Sequence, residues 1–445
     1  MPNYYVAKHP DMLAKVDSWT GNRPKIWRTY DYPHVGRLYW NMYKIAQQVP
    51  QWTACSADEY FKRAVGTFKA YFDYPREVDD DAVVYAWGIY DEWVIPDIIA
   101  ELEKKGMQKD ADYLRENWEK KAKHFIYDDP YPYRSEYSFD RTAFESTYAL
   151  AKYAVEHPMA SDPDHKNVTV SAARDFMDRQ HYAGLAVRGW LEPKFFLNGA
   201  DVASSDYTHT LTYMAMMAGW SILDYGLLYS KNTDWIELGY NSYMSTWALM
   251  NTGTPESNYG YWFPGKQNDG SIGMAFVSAK SGKTWIHKFD ERGVWRYDGE
   301  IDLGLGASFH TARTILVDDD VFGLHVLGGS MSQDGKNISI VPADGVLQQF
   351  SIVLPARRVH MSLDRDGLSE NEPIVVNDQK GKVSFSVSNH SGKAHEALLT
   401  LRADKASVAS VTVDGRRLAL RKTSLGWEAD VPVGAAGASV EVRYR

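Results

Sequence analysis

The sequence predicts a multidomain α + β chain. An α/α helical toroid over residues 1–265 is expected to lead into an antiparallel, β-sandwich-like region over 266–445, with a division near 370 as one option. Three observations carry this. Apolar residues recur at helical spacing through the first 250 residues, helices of charged and of apolar character alternate, and period-two strands with Gly and Asp turns take over after Pro264.

Helices are expected near 5–18, 35–48, 57–73, 82–105, 108–125, 142–156, 168–184, 207–229 and 234–250. The third opens on a capping box, Ser56 to Glu59, in which the hydroxyl caps the first turn and the carboxylate reaches back. Phe61, Val65, Phe68 and Phe72 then form one apolar stripe. The fifth, from Gln108, is heavily charged and reads as solvent-facing. The eighth, through Met214, Met217, Trp220 and Leu223, is apolar nearly all round and should be buried on most faces. Alternating wet and dry helices imply two concentric layers. Long connections at 19–34, 126–141 and 185–206 fall on one rim and short ones at 106–107 and 230–233 on the other, and long loops usually carry function. In the second half, Val383 to Val387 alternates with period two, Asp414-Gly415 marks a turn, and Val440, Val442 and Tyr444 form a closing strand.

Composition narrows the function classes. A net charge of -9 disfavours a nucleic-acid partner, because phosphate contacts need clustered Lys and Arg. No apolar run reaches the roughly 18 residues that span a bilayer, so no membrane role is expected. Cys55 is the single cysteine, which excludes an intrachain disulfide and cysteine-based metal centres. No cofactor and no metal site are expected. Phosphate-loop, zinc-helix and nucleophile-elbow motifs are absent. The N-terminus lacks a basic region followed by an apolar core. Localisation therefore stays open: periplasmic or secreted if a leader was removed, otherwise cytoplasmic.

Acidic and aromatic clusters precede every second helix. In an antiparallel array those helices run the same way, so their leading ends gather on one rim. Asp31-Tyr32-Pro33-His34, beside Trp27, is read as a loop in which Pro33 keeps Tyr32 extended. The alternative is that Asp31 only caps the next helix. Asp140, Arg141 and Glu145 form the second cluster. A buried carboxyl beside rings has its pKa raised, as a general acid requires, whereas an N-cap with a local ion pair is the simpler explanation. Glu192, between Trp190 and Phe195, is a third candidate acid. Asp206, Tyr207 and His209 head the most apolar helix, and Tyr261 and Trp262 lie between glycines as a platform for a pyranose face. Asp79 to Asp81 and Asp318 to Asp320 are read as solvated caps and turns. Asp364, Asp366, Glu370 and Glu372 are a weak calcium signal, since their spacing does not match an EF-hand loop.

At Asp31 to His34, at Phe139 to Ser146 and at Tyr261 to Gly265, the chain resembles a bacterial six-hairpin glycosidase-like family, itself a domain-of-unknown-function family. The resemblance implies an α/α toroid with β-sandwich material and a carbohydrate substrate, and it supplies no established catalytic pair. Nine helices fall short of a full ring of six hairpins, so the barrel is read as incomplete. Members of that family carry a β domain ahead of the toroid. The chain is accordingly expected to pair with such a domain or to be a C-terminal fragment.

The expected function is glycoside hydrolysis of a poly- or oligosaccharide, with inversion preferred. Its catalytic carboxylates would come from Asp31, Asp140, Glu145, Glu192 and Asp206. Trp27, Tyr32, His34, Arg141, Trp190, Tyr207, His209, Tyr261 and Trp262 would bind substrate. The alternatives are a polysaccharide lyase using a Tyr or His base with Arg141 as neutraliser, a sugar epimerase, and a non-catalytic carbohydrate-binding fragment.

Overall fold

A computed structural model of the protein describes residues 31–78, 84–128, 142–187, 210–251, 310, 312–404 and 406–445. It is a mixed α + β chain with eight α-helices among the described residues, followed by two β-sheets. Two compact units are separated at Ser221 and Ile222, within a helix. The expected domain boundary at 265 lies outside the described residues, as does the expected helix at 5–18.

The helices are α1 (Asp31–Gln48), α2 (Ala57–Val78), α3 (Ile95–Lys104), α4 (Gln108–Tyr127), α5 (Thr142–Glu156), α6 (Val170–Val187), α7 (Thr210–Leu228) and α8 (Asp234–Asn251). Two expectations are corrected at α1 and α3. Asp31 to His34 is the first turn of α1 rather than a loop before it. Proline is tolerated there because its missing N–H would have no intrahelical partner in any case. The helix expected at 82–105 begins only at Ile95, with Pro96 in its first turn. Residues 84–91 instead form turns, with Asp91 in the left-handed conformation at φ 64°, and Glu92–Val94 form one 3-10 turn that leads into α3.

Ser56 does cap α2, its hydroxyl accepting from the Glu59 N–H at 3.2 Å, while Glu59 turns away from the cap and pairs with Arg63 at 2.8 Å. Phe61, Val65, Phe68 and Phe72 are buried as one stripe. Gly36 of α1 faces that stripe closely: a Cβ there would lie 2.6 Å from the Phe68 ring. The charged helix α4 is not a purely wet element. It buries Leu114, Trp118, Ala122 and Phe125 along one face, and Lys121 with them. The described part of α7 is buried nearly all round, as its composition requires. No described helix is long and apolar enough to cross a membrane.

The second unit holds strands β1 (Thr314–Asp319), β2 (Gly323–Leu327), β3 (Gly329–Asp334), β4 (Asn337–Pro342), β5 (Gln349–Leu354), β6 (Arg357–Leu363), β7 (Gly367–Leu368), β8 (Ile374–Asn377), β9 (Lys382–Ser388), β10 (His395–Asp404), β11 (Val408–Val413), β12 (Arg416–Arg417), β13 (Arg421–Lys422), β14 (Trp427–Val433) and β15 (Ala438–Tyr444). One sheet has the order β13-β14-β10-β6-β5-β1-β2, and the other β12-β11-β15-β9-β8-β4-β3 with β7 on β9. All pairings are antiparallel except β1 with β5. Alternation does what period two requires: Val383, Phe385 and Val387 of β9 point inward with Val440 and Val442 of β15, and Leu399 and Leu401 of β10 join them from the other sheet. Residues on both sides of 370 share this core.

The C-terminal half of α7 and the start of α8 lie against the first sheet, where Leu223, Leu227 and Ile236 meet Ile315, Val317 and Val353. Glycines let the two helices approach, because a Cβ at Gly239 would sit 2.4 Å from the Leu223 nitrogen. Arg358 of β6 donates to the carbonyls of Gly226, Leu227 and Ser230 at 2.8, 3.0 and 2.6 Å, satisfying acceptors that the end of α7 leaves without intrahelical donors.

Candidate functional site

Glu145, one of the five expected carboxylates, is the only one of them whose side chain lies among the described residues. The sequence of α5 places it in the first helical turn, followed by Ser146, Thr147 and Tyr148, all buried. Its carboxyl is 1% exposed. Oε1 accepts from the Trp220 indole N–H at 2.8 Å, and Oε2 accepts from the backbone N–H of Asp91 at 3.3 Å. Burial and then the neighbouring Asp91 charge push the Glu145 pKa up to about 8, against the pull of Arg37 and the two hydrogen bonds.

Asp91 is the second carboxylate of the pair, equally buried at 1% exposure. Arg37, one turn beyond His34 on α1, donates to its Oδ1. Its Oδ2 is buried and has no hydrogen-bond partner. A buried carboxylate oxygen left unsatisfied is costly, and it sits on a residue whose backbone is also in a left-handed conformation that few side chains adopt. Unspent acceptors and uncommon backbone angles of this kind concentrate at functional sites.

The turn carrying Asp91 is anchored by the next residue. Glu92 is fully buried and accepts from Lys121 of α4 at 2.6 Å, from the Tyr71 hydroxyl of α2 at 2.8 Å, from the backbone N–H of Ile89 at 3.2 Å and from the Ser146 hydroxyl. Lys121 also donates to the Tyr71 hydroxyl at 3.0 Å, and burial holds its pKa below the usual lysine value while Glu92 opposes that fall. Three helices thereby grip one carboxylate and fix the position of its neighbour. Glu92 and Lys121 position the site; Asp91 and Glu145 face each other within it.

Aromatic rings wall this pair. Trp93 and Trp220 lie 5.6 Å apart, Tyr148 meets Trp220 edge-on at 5.5 Å, and His34 meets Tyr90 edge-on at 6.0 Å. The Arg37 guanidinium stands 5.1 Å over the Trp93 ring. Two leading helix ends thus meet at one place: His34 and Arg37 from α1, and Glu145 from α5.

Of the other sequence candidates, Tyr32 and His34 are half-buried on α1, and Asp31 opens that helix with its side chain outside what the structure describes. Trp27, Asp140, Arg141, Trp190, Glu192, Asp206, Tyr207, His209, Tyr261 and Trp262 lie outside the described residues, as do Asp79 to Asp81. Asp91, Arg37, Trp93 and Trp220 were not among the candidates. A signal for Asp91 existed in Tyr90-Asp91-Glu92-Trp93, two acids between rings, just ahead of a proline that marks a helix start.

In the second unit three residues of the weak calcium signal accept hydrogen bonds from distant segments. Asp364 accepts from the Leu398 N–H at 2.8 Å, Asp366 accepts from His395 at 2.6 Å, and Glu372 accepts from the Ser386 hydroxyl. Asp319 is a turn residue as expected, accepting from the Val321 and Phe322 N–H groups, but its side chain is only 4% exposed rather than solvated.

The profile of a family of unknown function (DUF5695) matches residues 2–190, which include α1 to α6, Asp91 and Glu145. No curated protein and no solved structure shows a significant match to the chain.

Proposed function

We propose that the chain is a carbohydrate-active enzyme, a glycoside hydrolase in which Glu145 is the general acid and Asp91 the partner carboxylate. The observation that carries this reading is the buried Asp91–Glu145 pair, in which the first carboxylate is held by Arg37 and the second keeps its proton near neutral pH. Glycoside hydrolysis needs that division: one carboxylic acid protonates the leaving oxygen, and one carboxylate activates water or attacks the anomeric carbon. The half-buried Trp93 ring, backed by the buried Trp220, supplies an apolar face of the kind that stacks on sugars.

The helical part belongs, in this reading, to a six-hairpin toroid, and inversion remains the expected stereochemistry. It requires a separation of roughly 6.5–9.5 Å between the carboxyls in the substrate complex. The lyase alternative rests on Arg141 as the neutraliser, a residue outside those described, so the buried carboxylate pair favours the hydrolase reading.

The test is incubation with a panel of bacterial and plant polysaccharides in ¹⁸O-labelled water, with products sized by mass spectrometry. Hydrolysis puts one labelled oxygen into each new reducing end. An unsaturated, ultraviolet-absorbing product would make the chain a lyase, and binding without product would make it a binding module.

A further inference from the structure

Outside the carboxylate pair, the described residues hold one cluster with the chemistry of a metal site: Glu237, Asp319 and His325, each offering a ligand atom within 4.8 Å of the other two. The fold brings them together for clear reasons. Asp319 ends β1 and pairs with Gly323, while His325 of β2 pairs with Val317, so alternation points Val317, Asp319 and His325 to one face of the hairpin. That face also carries Ile315 and Val317 against Ile236, and Glu237 is the next residue, in the first turn of α8.

Each ligand atom is left exposed to its neighbours in a specific way. Asp319 commits Oδ1 to its own turn, accepting from the N–H groups of Val321 and Phe322 at 2.7 and 2.6 Å. Its Oδ2 is buried without a hydrogen-bond partner, 3.8 Å from His325 Nδ1. His325 Nδ1 lies 2.9 Å from the Gly323 carbonyl, an acceptor for an imidazole that carries its proton on Nδ1. Nε2 then turns a lone pair toward Glu237 Oε1, only 2.8 Å away. Two acceptors at that distance need a cation between them, either a second proton or a metal ion. A backbone carbonyl holding the far nitrogen is the usual second partner of a metal-bound imidazole.

We propose that Glu237, Asp319 and His325 bind a divalent transition-metal cation of the zinc class, which clips the start of α8 to the β1–β2 hairpin. One imidazole with two carboxylates is a donor set suited to zinc, and ligands about 2.0–2.1 Å from one zinc ion lie roughly 3 Å from each other. Two carboxylates facing one imidazole also leave net negative charge that a dication offsets.

The test uses the full chain, stripped with a chelator and titrated with Zn²⁺ in a chelator-competition assay, with Co²⁺ absorption as a second probe. The expected result is one Zn²⁺ per chain and a raised unfolding temperature. Affinity should fall more than about tenfold in both Glu237→Gln and His325→Gln. The Co²⁺ visible band should change in His325→Gln, and Asp319→Asn, which keeps the turn-capping oxygen, should weaken binding as well. Absence of stoichiometric binding, or equal affinity in Glu237→Gln and His325→Gln chains that keep the native circular dichroism, would overturn the proposal and leave a protonated imidazole in the cation's place.

Discussion

Replacing Glu145 with Gln isolates the electrostatic character of the buried pair. The wild-type carboxyl has its pKa raised from 4.5 to about 8 by burial and by Asp91. Because the folded-state value lies above the unfolded one, its stabilising contribution is complete below about pH 4.5 and is lost as pH rises through about 8. At 1.36 kcal/mol per pKa unit, the folded chain loses about 3–4 kcal/mol between pH 5 and pH 8 from this group alone. Glutamine keeps an oxygen for the Trp220 indole N–H but presents an amide to the Asp91 N–H, a cost of about 1 kcal/mol that does not vary with pH. The assay is urea unfolding of both full-length chains at several pH values between 5 and 9. The stability difference should move in favour of Glu145→Gln by about 3–4 kcal/mol as pH rises from 5 to 8, then level off. Parallel pH profiles for the two chains would refute the assignment of a high pKa to Glu145.

Other perturbations follow from the same contacts. Lys121→Met leaves the fully buried Glu92 without its cation and should cost about 3–5 kcal/mol in denaturant unfolding, whereas adding Glu92→Gln to that variant should recover part of the loss. Gly239→Ala forces a methyl against the Leu223 backbone and should destabilise the chain by about 1–3 kcal/mol, read as a lowered urea midpoint. Ser56→Ala removes the α2 cap and should cost about 1 kcal/mol by the same measurement.

Much of the scaffold was legible in the residues. Periodicity located α2, α4, α5 and α8 to within a few positions, and alternation located β9 and β15, because both signals arise from burial of one face. The failures came where local chemistry overrode pattern. A proline inside the first turn hid the true start of α1, and Pro96 marked the start of α3 although apolar residues upstream suggested a longer helix. The charge of α4 concealed a buried lysine, since a sequence cannot reveal that Lys121 finds Glu92 from a distant turn. Glu145 was visible as an acid at a helix start beside rings. Its partner Asp91 was not, because a left-handed turn holding two acids is built by long-range hydrogen bonds to Arg37, Tyr71, Lys121 and Ser146.

The pH dependence of kcat/KM on a glycan that the chain cleaves tests the acid–base pairing most directly, comparing wild type with Asp91→Asn and Glu145→Gln. The account predicts an alkaline limb near the Glu145 value of about 8 in wild type. It predicts a loss of about 10²–10⁴-fold in Glu145→Gln, and in Asp91→Asn a residual activity whose alkaline limb moves to lower pH once the neighbouring charge is gone. Full activity with an unmoved limb in both variants would contradict it.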